Sequence, residues 1–163
     1  MKTIGLLSDT HSYIEPKILD FFKDVDEIWH AGDIGSMEVV NILESFKPLR
    51  AVYGNIDNHQ IRSCFGEILE FECEQIKVLL IHIGGYPGHY DKKVRNLLSE
   101  KSFDLFVCGH SHILKMMYDK KHEMMHMNPG AAGKSGFHLK KTALKFKVEG
   151  NLLKDMQIFE MDR

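Results

Sequence analysis

Five short polar signatures occur in a fixed order along the chain, and most of them follow directly after a run of apolar, β-branched residues. They are Ser8-Asp9-Thr10-His11, Gly32-Asp33, Gly54-Asn55-Ile56-Asp57, Ile81-His82 and Gly109-His110-Ser111-His112. A buried strand ends where its apolar run ends, so these signatures are predicted to lie in loops that leave a sheet. The pattern therefore favours a fold in which Asp, Asn and His side chains gather at strand ends, where they can bind divalent cations.

Composition indicates a single domain over residues 1–163, because a chain of this length with 44% apolar residues can bury a substantial core. The 21 basic and 23 acidic residues nearly balance, which gives no sign of a nucleic-acid or membrane partner. The first apolar stretch is too short for a signal peptide, and no segment approaches the roughly 20 apolar residues of a membrane span. Three cysteines without metal-motif spacing are predicted to be reduced thiols. We therefore expect a cytoplasmic protein.

The order of predicted elements favours an α/β fold. The first third alternates strands (2–8, 27–30, 49–53) with helices (16–23, 36–46, the second capped by Ser36). A hairpin (67–72, 77–83), a helix (92–100) and a strand (104–108) follow, and the last third is predicted as strands (114–119, 123–127, 142–148, 154–160). The β-α-β-α-β start indicates a parallel sheet covered by helices, and the whole set suits two sheets packed face to face with helices outside.

Two pairs of candidate ligands share one spacing. Asp9 and His11 are two residues apart at a strand end, so both side chains can point to the same side and bind one ion. His110 and His112 repeat this spacing on another strand end, and Gly109 is interpreted as the residue that lets the backbone turn sharply there.

Three single residues complete the predicted metal site. Asp33 carries a carboxylate that could bridge two cations with one oxygen on each, Asn55 offers an amide oxygen and His82 a further imidazole. Two divalent cations outweigh the charge of the two aspartates, and the remaining positive charge suits a phosphate group and an acidified bridging water. Because the ligands are oxygen and nitrogen without thiolate, we expect two divalent cations, Mn²⁺ first, with Fe or Zn²⁺ as alternatives.

The ordered set Asp-x-His, Gly-Asp, Gly-Asn, His and Gly-His-x-His resembles the calcineurin-like metallophosphoesterases over about residues 4–131. The short chain and Asn128-Pro129-Gly130 are similar to the small bacterial and archaeal phosphodiesterase subgroup. The resemblance implies a four-layered α/β/β/α sandwich with two mixed sheets, and attack on phosphorus by a metal-bridging hydroxide. It also implies one ion held by Asp9, His11, Asp33 and His112, and another held by Asp33, Asn55, His82 and His110.

The sequence departs from the family pattern directly after Asn55. Many members have a histidine there that donates a proton to the leaving group, whereas this chain has Ile56. Asp57 and His59 are the nearest groups that could substitute, so Asn55, Asp57 and His59 are the catalytic candidates. Loss of a general acid costs on the order of 10²–10⁴ in rate. We therefore expect the best activity on activated aryl phosphodiesters.

A second departure follows His82, where the subgroup often has His-Gly-His and this chain has a glycine-rich loop over residues 83–89. Tyr86 and His89 of this loop are candidate substrate contacts together with Asn55; an ordinary surface loop is the equal alternative. Of the other histidines, His30 could support a ligand because it lies three residues before Asp33. The remainder (His122, His126, His138) are interpreted as structural.

The leading hypothesis is a phosphodiesterase that acts on a small phosphorylated substrate. A phosphomonoesterase is an alternative, because the metal ligands alone do not show whether the substrate is a monoester or a diester. A protein-binding scaffold is another, because the small retromer subunit is a relative of this fold that mainly binds proteins. Scaffolding relatives have substituted ligand positions, whereas this chain keeps all seven. Exposed edge strands would permit a homo-oligomer.

Overall fold

Ten strands and four helices form the chain in the computed structural model, which describes residues 1–163. The strands are β1 (Lys2–Leu7), β2 (Glu27–His30), β3 (Leu49–Ala51), β4 (Ile68–Cys73), β5 (Ile76–Ile81), β6 (Leu105–Val107), β7 (Leu114–Asp119), β8 (Met124–Pro129), β9 (Lys140–Glu149) and β10 (Leu152–Asp162). The helices are α1 (Pro16–Phe21), α2 (Met37–Phe46), α3 (His59–Cys64) and α4 (Lys92–Glu100).

The strands form two mixed sheets of five. The first has the order β10-β9-β1-β2-β3, with β1, β2 and β3 parallel and β9 and β10 antiparallel at one side. The second has the order β4-β5-β6-β8-β7, with a parallel centre of β5, β6 and β8 between antiparallel outer strands. The parallel part of the first sheet is the one that the β-α-β-α-β order predicted.

Three apolar clusters separate four layers. The central cluster lies between the sheets and includes Leu6 of β1 and Leu80 of β5. Because side chains alternate along a strand, Leu7 faces the other way and packs with α1, α2 and α3 on the outer face of the first sheet. On the outer face of the second sheet, Phe106 packs against Val94 of α4. The predicted α/β sandwich of two mixed sheets with helices outside is confirmed.

Several local predictions were wrong. Helix α3 was not predicted, and it begins directly after Asn58, whose side chain accepts a hydrogen bond from the Ile61 amide. Ser36 precedes α2 as predicted, but its side chain forms no capping hydrogen bond. The strand predicted over 49–53 ends at Ala51, and the last two strands are longer than predicted.

The three cysteines are free thiols, as expected. A membrane-spanning helix is not found among the four helices, since each is too short or too polar.

Candidate metal centre

The five polar signatures follow the five strands β1, β2, β3, β5 and β6. Each of these strands lies in a parallel part of its sheet, so their carboxyl ends lie at the same edge. The loops that leave the two sheets meet there, and side chains from distant parts of the chain come within a few ångströms of one another. Ligands bind at this edge in many open α/β sheets.

One cluster of ligand atoms, here the first group, consists of Asp9, His11 and His112, with the three atoms within 4.8 Å of one another. Oδ1 of Asp9 lies 3.1 Å from Nε2 of His112 and 3.7 Å from Nε2 of His11. The other oxygen of Asp9 accepts hydrogen bonds from the Ser8 hydroxyl (2.6 Å) and from the His110 amide (3.1 Å). These bonds fix the carboxylate with Oδ1 turned towards the imidazoles.

The second group consists of Asp33, His82 and His110, again within 4.8 Å. Nε2 of His82 lies 3.2 Å from Oδ2 of Asp33 and 3.1 Å from Oδ1 of Asn55. Asp33 and His82 are buried, whereas Asn55 and His110 are exposed. The carboxylate therefore lies at the bottom of the site, and the amide and one imidazole lie at its rim.

Asp33 joins the two groups through a single oxygen. Its Oδ2 lies 3.2 Å from Nε2 of His82 and 3.5 Å from Nε2 of His11. Its Oδ1 accepts a hydrogen bond from the Ile56 amide at 3.1 Å. One oxygen of Asp33 thus faces both groups while the other accepts from the Ile56 amide, and the expectation that Asp33 gives one oxygen to each ion stays a prediction.

When the imidazoles are neutral, several polar atoms of the site face one another with no proton between them. Oδ1 of Asp9 and Nε2 of His11 are buried without a hydrogen-bond partner. Nδ1 of His82 donates to the carbonyl of Ala31 at 2.7 Å, which leaves a lone pair on Nε2 facing the oxygens of Asp33 and Asn55. Lone pairs that face one another need a cation between them, and buried polar groups are otherwise nearly always paired. The residues present therefore fit divalent cations.

The pKa shifts of the site also favour positive charge beside the two carboxylates. Burial alone would raise the pKa of Asp9 and of Asp33, but the nearby imidazoles outweigh it and hold both pKa values below the ordinary range. Burial alone would lower the pKa of His82, but Asp33 and Asp9 raise it. The site thus holds carboxylates in their charged form and favours positive charge beside them.

Most of the ligands adopt an unusual backbone conformation. Five of the six residues in the two groups have positive φ, between 45° and 69°: Asp9, His11, Asp33, His110 and His112. This region is sparsely populated for residues other than glycine, and such a residue costs on the order of 1–3 kcal/mol. Gly109 is not among the positive-φ glycines; a Cβ there would lie 2.1 Å from the Ser8 hydroxyl, so close approach rather than a sharp turn requires glycine.

His30 supports the loops of the first sheet from behind. Its Nδ1 accepts a hydrogen bond from the Gly32 amide at 3.1 Å, so the proton lies on Nε2, which donates to the Thr10 hydroxyl at 2.9 Å. Burial lowers the pKa of His30 to about 4, which keeps the ring neutral at neutral pH. His30 therefore connects the loop of Asp9 and His11 to the loop of Asp33, as its spacing had suggested.

The two candidate general acids have different surroundings. Asp57 is buried, and its carboxylate accepts hydrogen bonds from the amides of Ile34 (3.2 Å), Gly35 (2.8 Å) and Gly54 (2.7 Å). His59 is exposed at the first residue of α3. The Asp57 carboxylate thus ties the loop of Asp33 to the loop of Asn55, and its role as a proton donor stays a prediction.

Arg62 is a residue of the site that the sequence did not indicate. Its guanidinium lies 4.5 Å from the ring centroid of Tyr53 and donates to the carbonyls of Asp57 (2.7 Å) and Asn55 (3.3 Å). It thereby fixes the backbone at the amide ligand. The signal that could have found it is Asn58 as a helix cap, which places Arg62 on the first turns of α3.

Two cavities open from the second group. The Arg62 cavity has a volume of about 450 Å³ and is lined by Asn55, His82, Tyr53, Arg62 and Ile83, among others. The Tyr86 cavity has a volume of about 320 Å³ and is lined by His110, Tyr86, His89, Lys115 and Ile83, among others. Nζ of Lys115 lies 3.8 Å from the Tyr86 ring centroid. Each cavity thus combines a histidine of the second group with a cation stacked on a tyrosine. Tyr86 and His89 line the Tyr86 cavity, and their contact with substrate stays a prediction.

Comparisons with known proteins agree with this geometry. Residues 1–151 match the family model of the calcineurin-like phosphoesterase superfamily domain. A probable metallophosphoesterase of Methanothermobacter thermautotrophicus is 35% identical over 134 residues, which cover 78% of this chain and 76% of the relative. Another from Methanocaldococcus jannaschii is 32% identical over 155 residues, 91% of this chain and 77% of the relative. The crystal structure of a Vps29 mutant from Entamoeba histolytica superposes with a TM-score of 0.75 at 17% identity, covering 99% of both chains, which shows a shared fold.

Proposed function

The chain belongs to the calcineurin-like phosphoesterase superfamily, and from this premise we propose that it is a phosphodiesterase that works with two divalent cations. Its archaeal relatives are named as metallophosphoesterases, so hydrolysis of a phosphoric ester is the reaction class. The proposal adds the number of cations, the diester preference and a small phosphorylated substrate.

Two sets of residues would hold the cations. Asp9, His11, Asp33 and His112 surround the first position, and Asp33, Asn55, His82 and His110 surround the second. Bound there, the cations would neutralise phosphate charge and lower the pKa of a water so that it can attack phosphorus. Mixed oxygen and nitrogen donors favour Mn²⁺, with Fe or Zn²⁺ as alternatives.

The diester preference rests on the two cavities. A phosphodiester has two ester arms that leave phosphorus in different directions, whereas a monoester has one. The Arg62 cavity reaches the second group at His82, with Asn55 beside it, and the Tyr86 cavity reaches the group at His110. The two ester arms of a diester whose phosphate lies at the second group could therefore occupy one cavity each, and Ile83 and Asp91 line both cavities.

The chain's own residues orient the substrate rather than donate a proton to it. Arg62 holds the carbonyl of Asn55, and Asp57 holds the amide of Gly54, so the loop that presents Asn55 is fixed from two sides. Ile56 is exposed at the position from which a proton donor would act, and its side chain has no proton to give. Substrates whose leaving groups are acidic should therefore react best.

The experiment removes metal from the protein and then adds Mn²⁺ with bis-p-nitrophenyl phosphate and p-nitrophenyl phosphate in parallel. Metal-dependent turnover that is faster for the diester supports the proposal. Faster turnover of the monoester would make the enzyme a phosphomonoesterase. No turnover of either, with two ions bound, would favour a protein-binding scaffold on the same fold.

A variant tests whether the second ester arm of a diester lies in the Tyr86 cavity, independently of whether the reaction needs metal. Tyr86→Ala removes a wall of one cavity without removing a proposed ligand, so we expect KM to rise for the diester more than for the monoester. Tyr118→Ala is the matched control, because Tyr118 is exposed on β7 and lines neither cavity. Equal effects of Tyr86→Ala on both substrates would contradict the assignment of an ester arm to the Tyr86 cavity.

A further inference from the structure

The two ring nitrogens of His112 have different partners. Nε2 lies 3.1 Å from Oδ1 of Asp9, inside the first group. Nδ1 lies 3.2 Å from Nδ1 of His138, and the two rings meet edge to face at a centroid distance of 5.1 Å. His138 is thus the residue that contacts His112 from outside the two groups.

The contact between His138 and Gly133 determines which ring nitrogens of His138 and His112 carry protons. Nε2 of His138 lies 2.8 Å from the carbonyl oxygen of Gly133, and a carbonyl only accepts, so Nε2 carries the proton. In a neutral ring Nδ1 of His138 is then an acceptor, and Nδ1 of His112 must be the donor. Nε2 of His112 is left with a lone pair directed at the first group, which is the form of imidazole that binds a metal.

The segment that carries His138 is attached to the loop that carries Asp9. The amide of Gly133 donates to the Asp9 carbonyl at 3.1 Å, so the carbonyl that orients His138 belongs to a residue bound to the same loop. Gly136 has a φ of 127°, and a Cβ there would lie 2.2 Å from Nδ1 of His112. The Arg163 guanidinium donates to the Gly136 carbonyl. These contacts hold His138 against His112 and leave no room for another side chain between them.

We propose that His138 is a positioning residue that fixes the tautomer and the ring orientation of His112 for the cation of the first group. The inference rests on the proposed function only in that it requires a cation at this group. Both ring nitrogens of His138 are engaged, so it acts through His112 and not on the substrate. Replacing such partners of a metal-binding histidine costs about 10- to 100-fold in metal affinity.

Two substitutions with amide side chains test the two hydrogen bonds of His138 separately. In His138→Asn the side-chain oxygen can take the place of Nδ1 and still accept from His112, while the bond to Gly133 is lost. In His138→Gln the longer side chain can reach Gly133, but the acceptor at the position of Nδ1 is lost. The readout is the pair of Mn²⁺ dissociation constants of the metal-free protein, measured by competition with a chromophoric chelator.

We expect His138→Gln to weaken the binding of one of the two Mn²⁺ ions about 10- to 100-fold and to leave the binding of the other unchanged. His138→Asn should stay within about threefold of the wild type. In a His112→Ala background His138→Gln should cause no further loss, because the two residues act as one unit. Wild-type affinity in His138→Gln, or equal losses in the Asn and Gln variants with unchanged thermal unfolding, would overturn the proposal. Wild-type protein that binds two ions without turnover would refute only the proposed function.

Discussion

Oδ2 of Asp33 lies 3.2 Å from Nε2 of His82, and this contact closes the second group while the same oxygen also faces His11 of the first. One oxygen atom therefore belongs to both groups. Any change in its charge acts on both proposed cations, whereas a change in a ligand of one group acts on one.

Asp33→Asn keeps an oxygen for the Ile56 amide but removes the negative charge. We expect both Mn²⁺ ions to bind at least about 100-fold more weakly, because removal of an indirect partner of a ligand already costs 10- to 100-fold. His112→Ala should weaken the binding of one ion only. The dissociation constants of metal-free protein test this, and a loss confined to one ion in Asp33→Asn would show that Asp33 does not serve both groups.

Asp57→Ala should destabilise the protein. The carboxylate accepts three amide hydrogen bonds, and its removal leaves buried N–H groups of Ile34 and Gly54 without a partner. Each unsatisfied group costs about 1–3 kcal/mol, so we expect a loss of about 3 kcal/mol in the free energy of unfolding in urea. Asp57→Asn retains one acceptor oxygen and should lose less. Unchanged stability together with slower hydrolysis of esters with poor leaving groups would support the proton-donor role of Asp57.

His126 makes stability depend on pH. It is 1% exposed and stacks on Phe106. Burial lowers its pKa to about 4, against the opposing effects of the Phe106 backbone and Asp119 and with some help from Lys115. Above pH 6.5 the ring is neutral in both the folded and the unfolded state. Between pH 6.5 and 4 His126 binds a proton in the unfolded chain but not in the folded state, so this one residue contributes a loss of stability of about 3 kcal/mol as pH falls.

The variant His126→Leu isolates this contribution. It also removes a buried Nδ1 that has no hydrogen-bond partner, so its free energy of unfolding at pH 7 should equal or exceed that of the wild type. Its loss of stability from pH 6.5 to 4 should be smaller by up to about 3 kcal/mol. Urea unfolding of both metal-free proteins at several pH values gives the difference, and parallel curves would show that His126 takes up its proton equally in both states.

The fold could be predicted from the sequence because each strand has a strong apolar pattern and each motif stands at a strand end. Helix α3 was missed for a physical reason: it has six residues and buries only Ile61, so it shows no amphipathic period. That omission also concealed Arg62, which lies on this helix.

The candidate ligands could be found in the sequence, but not their arrangement. Residue types and order bring together Asp9, Asp33 and the histidines, because parallel strands place their loops at one edge. The positive φ of most ligands follows from contacts between loops that are distant in sequence, such as the His110 amide with Asp9. His138 was interpreted as structural for the same reason, since its contact with His112 depends on how the segment after β8 returns to the site.

Ile56→His should restore a proton donor to the site. Ile56 is 46% exposed, and what it gives to the centre is its amide, which donates to Oδ1 of Asp33 at 3.1 Å. A histidine keeps that amide, and an exposed position next to Asn55 has room for an imidazole. Proton donation to a leaving group contributes about 10²–10⁴ when the donor is well placed, so an unrefined substitution should gain at least about tenfold in kcat.

The gain should depend on the leaving group. A p-nitrophenolate leaves without a proton, so turnover of bis-p-nitrophenyl phosphate should change little. A diester with an alkyl leaving group should gain the full effect, with a rate that falls as pH rises and the imidazole loses its proton. Ile56→Gln is the matched control, because it is polar and can donate a hydrogen bond but transfers no proton. Equal gains in the His and Gln variants would assign the effect to polarity, and no gain in either would show that the proton comes from elsewhere in the site.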